Sequence, residues 1–348
     1  MTTSSTAPTG AQELAPGAAM GAAPPGRGAA ARGRVSRGLN QYAGVLSVLA
    51  VLVVYLSLTQ ENFLSPTNFA NVLDTASVTL IVAVALTFTL LIGAIDLSIG
   101  AIIALTATTL WELITRTSLP VPVSILLAVT LAFALGFFVN GLLIGRVGLS
   151  FLVVTIATAY LFRGVAKLRT AGQDQSVFGV GLLDALRDTR LLGLPLTVWV
   201  AGAVFLVGLL VLRYTGFGRM VYAVGGNPEA ARLAGINVTM VRVSVFGIAG
   251  ALAGIASVVD VSRTTSASPN AQLGIELIAG AAVLLGGTSF MGGRGTLLGS
   301  LLGVLFLGIL SNGLTLASVS SYWADVVSGV VLVAAIAFDR WRNGTGTP

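Results

Sequence analysis

In a chain that is 55% hydrophobic and only 9% charged, the residues able to do chemistry are few and stand out. "LLIGAIDLSIGA" (90–101) sets Asp96 and Ser98 between two apolar runs, and "SASPNAQLGIELI" (266–278) gives Asn270 and Glu276 a similar setting. Asn140 and Asn312 interrupt apolar stretches elsewhere. A carboxylate at bilayer depth costs roughly 2.5–3.5 kcal/mol on insertion scales, so all six residues are candidates for lining a solute path. Each also has a plainer role. Asp96 suits the N-cap of the helix that follows, its carboxylate accepting a backbone N–H, and that is the favoured reading. Pro269 and Asn270 break helix, and Asn270 can cap the next one, which leaves Glu276 without such an explanation. Buried asparagines commonly tie helices together by hydrogen bonds.

Other chemistries are excluded. There is no Cys and no His, so thiolate nucleophiles, disulfides, imidazole bases and zinc sites built on those ligands are absent. Lys167 is the one lysine, and the residue after it is Leu168, so no G-x-x-x-x-G-K-[ST] phosphate loop exists. "GGRGTLLG" (292–299) is glycine-rich but follows an apolar span rather than a strand, and reads as a connection between helices. No catalytic constellation emerges, and no enzyme, resident cofactor or metal site is expected.

The elements that must position these residues are membrane helices. A soluble domain carries about 25% charged residues. Apolar runs near 20 residues recur from Tyr42 to Phe338, the length a bilayer core demands. The fold class expected is an all-α polytopic membrane protein of about ten transmembrane helices: 42–58, 72–92, 97–115, 122–145, 150–168, 195–213, 239–260, 271–287, 295–316 and 322–338. Residues 1–38, rich in Ala, Gly, Pro, Ser and Thr, cannot bury a core and are expected to be a disordered basic tail. Residues 39–340 form the membrane domain and 341–348 a second short tail.

Charge sets the expected orientation. Arg27, Arg32, Arg34 and Arg37 precede the first span, which the positive-inside rule explains without invoking nucleic acid. With ten crossings both termini are cytoplasmic, in company with Arg146, Arg213, Arg219, Arg232, Arg242, Arg294, Arg340 and Arg342. The segment 163–195 is the exception. It places Arg163, Lys167, Arg169, Arg187 and Arg190 outside, partly balanced by Asp174, Asp184 and Asp188.

An internal repeat has the same count. "GFFVNGL" (136–142) and "GILSNGL" (308–314) share G-x-x-x-N-G-L, and "SIGAIIAL" (98–105) is similar to "QLGIELIA" (272–279). These pair the fourth span with the ninth and the third with the eighth. An offset of five spans makes spans 2–5 and 7–10 inverted repeats, an arrangement common in transporters.

Between the sixth and seventh spans lies "AVGGNPEAARLAGINV" (223–238). Asn227 is a good N-cap, Pro228 suits the first helical position, and Glu229 sits at the positive helix end. Gly235 is a C-terminal stop. The helix runs over about 228–234, within a segment 227–236. Two isolated turns are unstable in water, so the helix must pack, either on its own spans or against a cytoplasmic partner.

These stretches resemble a known family. "TGFGRMVYAVGGNPEAARLAGINV" (215–238) resembles the cytoplasmic coupling segment of permeases from ribose/xylose-type bacterial ABC importers. "GAIDLSIGA" is similar to that family's G-G-I-D-L-S-x-G signature, with Ala94 where Gly is usual. "GGTSFMGGRGTLLGSLLGVLFLGILSNGL" (286–314) is similar to its C-terminal signature, with Phe290 and Met291 in place of a smaller or polar pair. The resemblance implies a dimeric ten-helix permease in the bacterial inner membrane. A cytoplasmic ATPase would bind ATP and Mg, and an extracytoplasmic binding protein would deliver a monosaccharide or polyol. It further implies that Asn227, Pro228, Glu229, Ala230, Arg232 and Gly235 form the coupling site. Arg187 and Arg190, on the outer segment, are candidates for docking the binding protein. The alternative is an ion-coupled secondary transporter, which also uses inverted repeats and intramembrane carboxylates but needs no docking helix.

Overall fold

Chain that crosses a bilayer must satisfy its backbone N–H and C=O groups within the segment, and the apolar runs here do so as helices. The computed structural model describes residues 44–320 together with Trp323, Val326, Gly329, Val330 and Val333. The expected tails 1–38 and 341–348 lie outside the described residues, as does most of the tenth span. Among the described residues, thirteen α-helices with defined ends follow in order. They are α1 (Gly44–Thr59), α2 (Pro66–Leu91), α3 (Ile99–Arg116), α4 (Val121–Ala134), α5 (Leu142–Gly145), α6 (Phe151–Thr170) and α7 (Gly181–Asp188). Then come α8 (Leu196–Tyr214), α9 (Gly216–Gly226), α10 (Pro228–Leu233), α11 (Val238–Thr264), α12 (Ile275–Leu285) and α13 (Leu297–Leu316). A π-helical segment, Leu135–Gly141, joins α4 to α5 into one continuous span.

Seven helices among the described residues are long and apolar enough to cross a membrane, and they coincide with seven expected spans. The described helix Gly44–Thr59 overlaps the expected first span, 42–58. One span departs from expectation. The eighth, expected over 271–287, is only the 11-residue α12. At ~1.5 Å per residue α12 covers ~16 Å, about half of a ~30 Å core. The fifth span ends slightly later than expected, so that Arg169 joins Arg163 and Lys167 on α6.

Helices α2 and α11 form the centre. Their apolar windows are 72% buried, against 22% for α4–α5 and α8, which show broad apolar faces to the outside. The two run antiparallel. Near one end Leu91 and Ile92 cluster with Val238 and Val241. Near the other, Arg263 of α11 donates to Asp74 of α2 at 2.9 Å, and Asp74 also accepts from the hydroxyl of Thr197 on α8.

The packing has the symmetry expected of an inverted repeat. Helix α3 packs on α4 and α11, while α12 packs on α13 and α2. Exchanging α2 with α11, α3 with α12 and α4 with α13 therefore maps one set of neighbours onto the other. The polar residues do not follow the exchange. Asn140 reaches α3, whereas Asn312 reaches α2.

At the Asp74 end, short strands finish the fold. Gln175–Ser176 pairs antiparallel with Ser266–Ala267. Arg190–Leu191 pairs with Leu194–Pro195 across Leu192 and Gly193, both at positive φ, as a two-residue hairpin turn requires. The indole N–H of Trp199 donates to Leu191 O at 3.1 Å, fastening this hairpin to α8.

Close backbone approach holds α12 to α13. A Cβ on Gly303 would stand 1.9 Å from Ala282 O, whereas one on Gly202, on the outward face of α8, would meet nothing within 4 Å. Gly303→Ala must part the two helices, an overpacking cost of about 1–3 kcal/mol. Gly202→Ala removes glycine's backbone freedom at no steric cost and gains up to about 1 kcal/mol. Thermal unfolding in detergent is expected to show a lower Tm for the first and an equal or higher Tm for the second. Equal Tm values for both would contradict the contact.

Candidate transport and coupling sites

The polar stretch 223–238 folds as its residue types dictate. Asn227 Oδ1 accepts from the N–H groups of Glu229 and Ala230, each at 3.0 Å, and Pro228 opens α10 where its missing N–H is harmless. The exit is equally defined. Gly235 has φ +82°, its N–H donates to Arg232 O, and the N–H of Ile236 donates to Ala231 O, both at 3.0 Å. That pair of bonds is a Schellman motif. Helices on either side carry their own caps: Thr215 Oγ1 accepts from Gly218 N–H and Asn237 Oδ1 from Met240 N–H. Two turns thus stand where isolated turns would not, because both ends are closed and Ala231 is buried against the α9 and α11 cluster. Glu229 and Arg232 pair at 3.4 Å on the exposed face, beside Leu233, which is 88% exposed.

Three glycine-rich segments interlock beneath α10. A Cβ on Gly225 would lie 1.7 Å from Leu91 O and 2.6 Å from Gly293 N. The Gly293 N–H donates to Leu91 O at 2.9 Å, and Tyr222 Oη donates to Gly295 O at 2.9 Å. The end of α2, the end of α9 and the α12–α13 connection therefore meet backbone to backbone. The clustering of these glycines in three separate turns is the signal the sequence offers for this contact.

From Leu91 the chain re-enters the molecule. Gly93, at φ +73°, turns it, and Asp96 and Ser98 follow, both fully buried. Asp96 does accept a backbone N–H, but from Ser98, at 2.9 Å; the helix begins at Ile99 and Ser98 holds the cap position with no side-chain cap bond. Asp96 Oδ1 also accepts from Ser98 Oγ at 2.6 Å, and Ser98 Oγ accepts from Asn140 Nδ2 at 2.8 Å. Asp96, Ser98 and Asn140 thus form one buried relay between α3 and the π segment. Asp96 Oδ2 and Asn140 Oδ1 remain without partners.

The expected cap role of Asn270 is not met. Asn270 is exposed, and the chain stays irregular through Gln272 (φ +49°) to Gly274 (φ +81°), which holds the cap position of α12. Glu276 lies in the first turn of α12, its Oε2 buried and without a partner. Asn312 forms a reciprocal amide pair with Asn68, at 2.8 and 3.0 Å, clasping α13 to α2. It ties helices, as buried asparagine often does. Sequence reading missed Arg163. Its guanidinium donates to Pro269 O at 3.1 Å and to Ala271 O at 3.4 Å, holding the re-entrant 265–274 segment.

At the opposite end from α10, Arg187 lies on α7 and Arg190 on the hairpin. Arg187 pairs with Asp184 at 3.2 Å and Asp188 at 2.8 Å. The hydrogen bond from Arg187 holds the Asp188 carboxyl below the usual carboxylate range.

Two interlocked halves, a half-length helix behind a re-entrant segment and a capped helix outside the spans define a multi-pass transport permease. The family described as branched-chain amino acid transport system / permease component matches residues 68–336, and the chain belongs to it. Ribose import permease protein RbsC of Escherichia coli (strain K12) is 38% identical over 312 residues, covering 86% of this chain and 93% of that protein. RbsC of Bacillus subtilis (strain 168) is 38% identical over 314 residues, covering 88% and 95%. L-arabinose ABC transporter permease protein AraH of Azospirillum brasilense is 37% identical over 317 residues, covering 90% and 92%. With these relatives the chain stands among the sugar ABC importer permeases. No solved structure matches it.

The Asn227 cap can be tested directly. Asn227→Ala removes two cap bonds and costs about 0.5–2 kcal/mol of local stability. Hydrogen exchange of amides 230–236 is expected to quicken while those of α11 stay protected. Unchanged exchange across 230–236 would show that packing alone holds α10.

Proposed function

We propose that this chain is the membrane subunit of an importer for a monosaccharide or related small polyol, driven by ATP that a separate cytoplasmic ATPase binds with Mg. The observation that carries this reading is α10, a helix closed at both ends, presenting Glu229, Arg232 and Leu233 outward, and seated on the segments that lead to the buried relay. Force applied there reaches Gly225, then Leu91 and Gly93, then the start of α3. A secondary transporter has no use for such a lever. The printed names of the relatives support ribose and arabinose as first substrates to try.

In this reading the α10 end is cytoplasmic and both termini lie with it, in the inner membrane. A second permease chain completes the path, and an extracytoplasmic sugar-binding protein docks at the opposite end, where Arg187 and Arg190 lie. Asp96, Ser98 and Asn140 act as the connection between lever and path.

Two experiments test this. Glu229→Lys puts a positive charge at the positive helix end, costing about 0.3–1 kcal/mol locally, and reverses any charge contact with the ATPase. Gly235→Val forces a β-branched residue to φ +82°. Neither touches the spans, so both variants are expected at normal abundance but with the ATPase lost in detergent pull-down and sugar uptake abolished. Full ATP-dependent uptake by both in proteoliposomes would remove the coupling role.

Charge reversal at Arg187 and Arg190 together is expected to raise the binding-protein concentration needed for half-maximal uptake, with the wild-type requirement rising as salt is added. A requirement equal to wild type throughout a salt series would leave these residues as solvated surface.

A further inference from the structure

The N-terminal ends of α3 and α12 meet. A Cβ on Gly100, in the first turn of α3, would stand 2.6 Å from Glu276 Oε2, 2.7 Å from Gln272 O and 3.4 Å from an Arg163 guanidinium nitrogen. Two opposite charges thus flank one glycine. They do not close on each other: no ion pair within 4.0 Å joins Arg163 to Glu276, and Glu276 Oε2 has no hydrogen-bond partner. A carboxylate oxygen left open inside an apolar span is costly unless something else completes it.

These groups open into a cleft of about 540 Å³ between α3, α6 and α12. Its walls include Ala101 from α3, Tyr160, Arg163 and Lys167 from α6, and Glu276 from α12. Tyr160 is 81% exposed and offers a flat ring. The volume suits a small molecule. The polar lining suits a particular kind. A hydroxyl accepts from a guanidinium and donates to a carboxylate, so adjacent hydroxyls on a ring bridge the gap that the side chains leave. An aromatic face covers the C–H side of such a ring. A helix end at each side of the gap adds orphan N–H groups to the donors. A purely apolar solute would leave Glu276 unsatisfied, and an inorganic cation would find one carboxylate beside a guanidinium.

We propose that this cleft is a solute site for a neutral polyhydroxylated ring, with Glu276 accepting from one hydroxyl, Arg163 donating to its neighbour, and Tyr160 stacking on the ring face. The inference rests on the importer reading above and assigns its sugar-contacting residues. Gly100 is part of the design, because any side chain there would drive the carboxylate and guanidinium out of the gap.

The test uses the complete importer in proteoliposomes, with the permease, its ATPase and its binding protein. Uptake of D-ribose, L-arabinose, D-xylose, D-glucose and the anionic D-glucuronate is measured singly. The variants are Glu276→Gln, Arg163→Lys and Tyr160→Ala, each with ATPase retention checked by pull-down. Losing one of the three contacts to the ring is expected to lower uptake of the best neutral sugar by about tenfold or more while ATPase retention stays at the wild-type level. The ratio between sugars is expected to change in each variant, because the substitutions touch different parts of the ring. A merely structural role scales all sugars alike and leaves the ratio fixed, and that result in all three variants overturns the site. Preferential wild-type import of glucuronate overturns the neutral-ring assignment. Wild-type protein that imports none of the sugars under ATP would instead sink the importer reading itself.

Discussion

Leu91 O occupies the place where a side chain on Gly225 would have to begin. That exclusion is the constraint on which the rest of the molecule turns. Because Gly225 has no Cβ, α9 can lie on the end of α2; because Gly293 follows the same rule, the α12–α13 connection can bond to the same carbonyl. Three parts of the chain, far apart in sequence, share one backbone contact. A capped helix seated on such a junction cannot move without moving them. Side-chain packing would leave slack at this point, since rotamers can absorb a displacement; backbone against backbone leaves little.

The junction also explains how irregular chain comes to lie deep in the molecule. Non-helical backbone at membrane depth is tolerated where protein or a water-filled cavity satisfies it. Asp96 and Ser98 do so for the segment before α3, and Arg163 does so for the segment before α12. The two halves of the repeat solve the same problem with different residues. On one side a carboxylate accepts a backbone N–H; on the other a guanidinium donates to carbonyls. The antiparallel α2–α11 pair supplies the rigid frame against which the starts of α3 and α12 are held.

How much of this was legible in the sequence varied with how local the cause was. The caps of α10 were readable because Asn227, Pro228 and Gly235 act on residues within a few positions of themselves. Seven long spans were readable because hydropathy alone decides them. The eighth was misread, because 271–287 is apolar apart from Gln272 and Glu276, while its length is set by left-handed residues at Gln272 and Gly274 and by Arg163 reaching over from α6. Arg163 fell within the expected fifth span, 150–168, but its role was not readable: only the tertiary fold shows the Pro269 and Ala271 carbonyls waiting for it. Of the six polar residues singled out along the apolar runs, three form one relay, Asn312 clasps a helix, Asn270 is exposed, and Glu276 faces the cleft. Residue type marked them as unusual, but partners from distant segments sorted them.

The π segment at 135–141 carries a consequence for how this helix can vary. It serves two neighbours: Gly136 and Gly141 abut the backbone of α11, while Asn140 reaches α3. A π turn holds one residue more than an α turn. Closing the same residues as α throughout would rotate everything beyond by about 100°. The glycines or the asparagine would then face the wrong neighbour. The wide turn is therefore what lets one helix serve both neighbours: the stretch tolerates changes of side chain at its lipid face, such as Phe138, far better than changes at Gly136, Asn140 or Gly141.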